Sequence, residues 1–293
     1  MHSVLSLNSS AGPDLPPHHS SNLLFHLILA CLSSRANTYH LVALCIAYSL
    51  HLPLLVFVLY LGLKHRRGQK SSHSDVFTYH SIAMQLTEFL GLVMLCCGRY
   101  TDNLLVMYSG MLIGMVTLPG KALFHLLTCV ERYLAVVHPI AYLGLRQAGR
   151  ARIAYISIAC VWLLSLVCVP VTFHIEYLAI NIVAFIYLGF YLIIISYCSV
   201  SVLCVLKRPG PGGVGGNRDQ SKQRAFYTIV VIMGVLMLRF GGNLIYNVIY
   251  VLHGAGDQCV LLTFMFWLDM PSNLVLPLLF LHRAGKLKFR KSG

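Results

Sequence analysis

Long apolar runs alternate with short polar segments along most of this chain. A helix rises 1.5 Å per residue, so about 20 apolar residues are enough to cross the hydrocarbon core of a bilayer. No run shows the period of two that a membrane β-strand requires. The pattern predicts an all-α membrane protein with seven transmembrane helices, spans 1 to 7, at Tyr39–Leu63, Val76–Gly98, Leu104–Val137, Ile153–Val171, Tyr177–Leu206, Phe226–Leu252 and Gln258–Leu281.

Composition agrees with a membrane location. Hydrophobic residues make up 57% of the 293 residues and charged residues only 11%, which is too apolar for a soluble domain. The net charge of +13 is a feature that nucleic-acid-binding proteins share, so the positions of the charges decide its meaning.

The positive charges follow the loops on one side of the predicted membrane. The loops after spans 1, 3 and 5 and the C-terminal tail hold 17 of the 22 Lys and Arg residues, and the opposite side holds Arg35 and Arg99. Positive residues favour the cytoplasmic side. This predicts an extracellular N-terminal tail (1–38), a helix bundle (39–281) and a cytoplasmic C-terminal segment (282–293). It argues against nucleic acid as a partner, because the charges form a layer beside the membrane, not one groove.

The N-terminal tail carries a glycosylation sequon, Asn8-Ser9-Ser10. The predicted orientation places Asn8 outside the cell, where glycosylation occurs. We therefore expect a glycoprotein in the plasma membrane.

The inner end of span 3 carries the triplet Glu131-Arg132-Tyr133. An arginine in hydrocarbon is costly unless it is paired or hydrated, so the triplet should lie where the helix meets water, with Glu131 as the local counter-charge of Arg132. Pro139 should end the helix, because proline has no backbone N–H.

This triplet, with Pro139-Ile-Ala-Tyr after it, resembles the end of helix 3 in rhodopsin-like (class A) G-protein-coupled receptors. Span 4 carries a Trp, Trp162, where the family has one. Tyr197 stands where the family has a tyrosine that contacts the helix 3 arginine in the active state. Span 7 contains Leu276-Pro277-Leu-Leu-Phe280, which resembles a degraded Asn-Pro-x-x-Tyr motif, with Pro277 kept and Phe280 in place of Tyr.

The resemblance implies a seven-transmembrane helix bundle with a short amphipathic eighth helix, formed by the basic segment after span 7 and lying on membrane lipid. It implies a receptor that activates a heterotrimeric G protein through Arg132 and needs no cofactor. Amine and retinal ligands are disfavoured, because Gly114 and Met270 stand where those receptors carry Asp and Lys. Lipid, nucleotide, peptide and small organic acid ligands remain.

The chain departs from the family at several positions. Met107 stands where the family has a cysteine at the outer end of helix 3, and the loop after span 4 has no cysteine to pair with it. Span 6 has Leu238-Arg-Phe-Gly-Gly-Asn243 where the family has a Cys-Trp-x-Pro motif. Cys31 and Cys259 lie on the outer side beside spans 1 and 7, which are neighbours in the family. They form either a disulfide or two unpaired thiols.

Four ionisable residues fall at membrane depth: Glu88, Lys121, Arg239 and Asp269. Each must face the bundle interior and find a partner, because an unpaired charge at a helix centre costs about 2.5–3.5 kcal/mol. By depth we expect Glu88 to pair with Lys121, and Asp269 with Arg239. These pairs either fix helix packing or have a function, as the polar floor of a ligand pocket or as a pair that breaks on activation.

The same sequence features bear on three other functions. A receptor-like scaffold without signalling fits the altered motifs of spans 6 and 7, and the buried charges keep a transporter or channel open. An enzyme is not expected, since no clustered nucleophile, acid and base or metal-ligand spacing is found.

The predicted orientation can be tested with epitope tags at the two chain ends. In intact cells only the N-terminal tag should react with antibody, and the C-terminal tag should react after permeabilisation. Both ends on one side would exclude an odd number of crossings and with it the receptor resemblance.

Overall fold

A computed structural model describes most of the helical region of the chain. The described residues are 35–66, 73–147, 150–174, 177–207, 230–245, 248–249, 267–275, 277–278 and 281. All regular secondary structure in these ranges is helical. The helices are α1 (Arg35–Arg66), α2 (His73–Tyr100), α3 (Leu104–Val137), α4 (Pro139–Gln147), α5 (Arg150–His174), α6 (Tyr177–Lys207), α7 (Val230–Ile245) and α8 (267–275).

Five of these helices are long and apolar enough to cross a membrane. Their apolar segments coincide with predicted spans 1 to 5 to within a few residues and are Thr38–Gly62, Val76–Tyr100, Leu104–Val137, Arg152–Val171 and Ile182–Lys207. The expectation of a helical, multi-pass membrane protein is therefore confirmed for this part of the chain.

Spans 6 and 7 are described in part. α7 is apolar and covers the middle of predicted span 6, and α8 lies within predicted span 7. Apart from residues 248–249, 277–278 and 281, the remaining parts of both spans lie outside the described residues, as do residues 1–34 of the N-terminal tail and the segment 282–293. Seven crossings and an amphipathic C-terminal helix therefore stay predictions.

Helix α3 is the central element of the bundle. It contacts α2, α5 and α6 along its length and α4 at its end. The Asn103 side chain caps its first turn, with Oδ1 accepting hydrogen bonds from the backbone N–H groups of Leu105 and Val106 at 3.0 and 3.4 Å. The helix ends at Val137, as predicted, and Pro139 occupies the first position of α4, where its missing N–H costs nothing.

The α2–α3 contact is close because glycines face each other across it. A Cβ atom added to Gly110 would lie 2.6 Å from the carbonyl oxygen of Gly91, and one added to Gly91 would lie 3.0 Å from the carbonyl oxygen of Gly110. Small residues let helix backbones approach in membranes. This contact holds α2 and α3 in the register that places their polar residues opposite one another.

Substitution of Gly110 by alanine should therefore destabilise the protein, by about 1–3 kcal/mol, as expected for an overpacked contact. The matched control is Gly114→Ala, one turn further along α3, where an added Cβ would have nothing within 4 Å. Thermal unfolding of the purified variants should show a lower Tm for Gly110→Ala than for Gly114→Ala. Equal Tm values would contradict this view of the contact.

Candidate functional site

The four ionisable residues predicted at membrane depth meet inside the bundle. Glu88 comes from α2, Lys121 from α3, Arg239 from α7 and Asp269 from α8. All are buried, and Lys121 is completely inaccessible. We call these four residues the charged network.

Both predicted ion pairs are present, and they are joined. Lys121 Nζ lies 2.5 Å from Glu88 Oε2 and 3.0 Å from Asp269 Oδ2. Arg239 approaches the same aspartate through two nitrogens, with Nε 2.7 Å from Oδ1 and Nη2 3.0 Å from Oδ2. Asp269 is therefore shared by two cations, and the four residues form one network.

Polar neighbours extend the network to a further helix. Asn273 Oδ1 accepts a hydrogen bond from Lys121 Nζ at 3.4 Å, and its Nδ2 donates to the Tyr48 hydroxyl of α1 at 2.9 Å. Ser272 Oγ accepts from Arg239 Nη1 at 3.2 Å and donates to the backbone oxygen of Asp269 at 2.8 Å. Contacts of this one site thus connect α1, α2, α3, α7 and α8.

Three of these contributors were not predicted from the sequence. Ser272 and Asn273 follow Asp269 by three and four residues, so helical spacing places them on the same face. This spacing could have predicted that they join the site. The sequence contains no pattern that links Tyr48 to the site, because only the packing of α1 brings its hydroxyl to Asn273.

The network is electrically balanced, with two cations and two anions. An ammonium group has three N–H donors, and those of Lys121 have three acceptors, on Glu88, Asp269 and Asn273. Burying charge is tolerated only when attraction and hydrogen bonds offset the lost hydration. The Lys121 ammonium group meets that condition, because each of its donors has an acceptor and two of these acceptors are carboxylates.

The second predicted site lies at the C-terminal end of α3. Glu131, Arg132 and Tyr133 are half-buried there. The Tyr133 hydroxyl is 3.5 Å from the Tyr197 hydroxyl of α6 and 3.1 Å from His138 Nε2. The structure thus brings Tyr197 beside the triplet through Tyr133, and its expected contact with Arg132 stays a prediction.

Glu131 has a partner outside the triplet. The Tyr142 hydroxyl of α4 donates a hydrogen bond to Glu131 Oε1 at 3.3 Å. α4, which begins at Pro139, is thereby tied to the end of α3. The pairing of Glu131 with Arg132 stays a prediction.

The two sites share one helix. Lys121 and Arg132 are eleven residues apart on α3, which corresponds to about 16 Å along its axis. Pro277 is buried in a short helical segment that follows α8. Four predicted site residues, Asn8, Cys31, Cys259 and Phe280, lie outside the described residues.

The described residues contain no group of three or more His, Cys, Asp or Glu side chains arranged to hold a metal ion. No family model matches the chain, and no curated protein matches it. A functional assignment therefore depends on the residues and their geometry.

Replacement of Lys121 by methionine should be strongly destabilising, because Glu88 would remain as a buried carboxylate that has lost its cation. Breaking a buried pair in this way typically costs about 3–5 kcal/mol. The double variant Lys121→Met/Glu88→Gln removes both charges and should recover much of the loss, since Asp269 keeps Arg239. The measurement is Tm and surface expression of both variants. A double variant no better than Lys121→Met would contradict the pairing.

Proposed function

We propose that this protein is a G-protein-coupled receptor of the plasma membrane, which binds an extracellular ligand and activates a heterotrimeric G protein through Arg132. One observation carries the proposal: α3 carries both Lys121 of the buried charged network and, eleven residues further on, Arg132 of the Glu131-Arg132-Tyr133 triplet. A change at the network can reach the triplet through a single continuous helix.

In this proposal the charged network can shift between two arrangements, in which Asp269 pairs more closely with Lys121 or with Arg239. Asp269 of α8 is shared between Lys121 of α3 and Arg239 of α7. A ligand that moves α7 or α8 relative to α3 would favour one of the two cations over the other. Ion pairs in low dielectric are sensitive to such shifts, because their energy falls steeply with separation.

The triplet supplies the output. Tyr133 contacts Tyr197 of α6. A movement of α6 relative to α3 would therefore change the contacts of the residue next to Arg132. In the active receptor Arg132 contacts the G protein. Residues 208–229, which precede α7 in the sequence, lie outside the described residues.

The geometry bears on the ligand. Lys121 and Arg239 would favour an anionic ligand if they were accessible, but both are buried and paired with carboxylates. An anion would have to displace Glu88 or Asp269. Anionic ligands, which include nucleotides and small organic acids, therefore lose support, and lipid and peptide ligands gain none.

A second candidate function is a receptor-like scaffold that does not signal. It is favoured by the substituted motifs, because Leu276 and Phe280 replace the Asn and Tyr of the span 7 motif, and span 6 has no proline. A transporter or channel is less favoured than the sequence alone suggested, since the four charges neutralise one another.

The test is nucleotide exchange by a G protein in vesicles that contain the purified protein. Wild type should accelerate exchange over empty vesicles, and Arg132→Ala should return the rate to that of empty vesicles. The matched control is Arg152→Ala, which removes an exposed positive charge at the start of α5 and should leave exchange unchanged.

The alternatives give different results in the same vesicles. Exchange equal to that of empty vesicles, across a panel of G proteins and with correctly folded protein, would support the scaffold. Ion flux across the vesicle membrane would support a channel. Exchange that does not depend on Arg132 would reject the proposed route to the G protein.

A further inference from the structure

Three buried polar side chains beside the charged network have no hydrogen-bond partners among the described residues. They are Ser81 and Gln85 of α2 and His125 of α3, each at most 1% exposed. The unpartnered atoms are the Ser81 hydroxyl oxygen, both amide atoms of Gln85 and both ring nitrogens of His125. Buried polar groups are nearly always hydrogen-bonded, so these atoms require partners.

Helical spacing places the three side chains on the faces that carry the network. Ser81, Gln85 and Glu88 follow one another at intervals of four and three residues on α2, and His125 follows Lys121 by four on α3. Since Glu88 contacts Lys121, these two faces are turned toward each other.

The register of α2 against α3 sets their depth. A Cβ atom at Gly120 would lie 2.6 Å from Met84 Cε, and the His80 ring stacks on Phe124 with centroids 6.0 Å apart. Gln85 therefore lies at the level of Lys121, and Ser81 at the level of His125. The three side chains form a polar column that continues the network toward the inner end of α3.

We propose that this polar column binds ordered water. Gln85 and Ser81 each offer donors and acceptors, and a neutral imidazole offers one of each. The charges of the network are already balanced, so an additional ion would have no counter-charge. Water is the small ligand that both donates and accepts, and two to four polar partners are what a buried water needs.

Bound water would affect the charged network. It would offer Lys121 and Asp269 alternative hydrogen-bond partners, so the network could rearrange without leaving a bare charge in an apolar interior. The column also shortens the apolar distance to the triplet, because His125 is seven residues from Arg132, about 10 Å along α3. The proposal depends on the packing of α2 and α3 and is independent of G-protein coupling.

Radiolytic hydroxyl-radical labelling of the purified wild type tests the water directly, because radicals formed from bound water oxidise the side chains beside it. His125 should be oxidised in proportion to dose although it is only 1% exposed. The controls are Met107 and Met111, which are buried in an apolar cluster with Leu41 and Leu44 and carry a more reactive sulfur. His125 oxidation no faster than that of these methionines would overturn the proposal.

The variant Gln85→Leu separates a hydrated column from a dry one. With water present, leucine removes partners of that water, so the Tm should fall and His125 oxidation should drop several-fold. In a dry column leucine removes an unsatisfied amide, so the Tm should rise, which would overturn the proposal. The control is Thr87→Val, since the Thr87 hydroxyl bonds to the backbone of its own helix and should not affect labelling.

Should Gln85→Leu fail to fold, Ser81→Ala gives the same distinction with a smaller change. Lower His125 oxidation in a folded Ser81→Ala protein supports bound water. Oxidation that is unchanged from wild type counts against it.

Discussion

A charge inside a bilayer is stable only when an opposite charge and its hydrogen bonds are supplied by the protein, and Lys121 shows how this chain meets that requirement. The ammonium group has Glu88, Asp269 and Asn273 as acceptors, and it is completely buried. Satisfying one lysine therefore determines where α2, α3 and α8 must meet. Arg239 adds α7 through the same aspartate.

The close packing of α2 on α3 makes this arrangement possible. Gly91 and Gly110 let the two backbones approach, and the resulting register puts Glu88 within reach of Lys121. The same register aligns Ser81, Gln85 and His125 beside the network. Packing and polar chemistry are thus parts of one constraint, because a shift of α2 along α3 would separate the charges and the column together.

Span 6, which departs from the rhodopsin-like sequence pattern, contributes to the charged network. Span 6 has no proline and no Cys-Trp-x-Pro motif, but its segment contributes Arg239, which reaches Asp269 and Ser272. Lys121 of α3 lies between Glu88 and Asp269 and pairs with both carboxylates. In this chain the interior of the bundle is thus organised by ion pairs between helices.

The sequence by itself determined the helical class, the first five spans, the end of α3 before Pro139 and the residues that had to be paired. Those conclusions follow from local rules, since apolar length, proline chemistry and the cost of buried charge can be read from one segment at a time. Pairing by depth also gave Glu88 with Lys121 and Asp269 with Arg239.

Only the tertiary structure decided that Asp269 is shared, that Tyr48 and Asn273 complete the site, and that Tyr197 lies beside Tyr133. Each of these contacts depends on the rotation and register of helices distant in the chain. A helical repeat places residues on a face, but the neighbour that the face meets is set by packing across the whole bundle. Only the tertiary structure likewise showed that atoms of Gln85 and His125 are buried without hydrogen-bond partners, because burial depends on how the helices assemble.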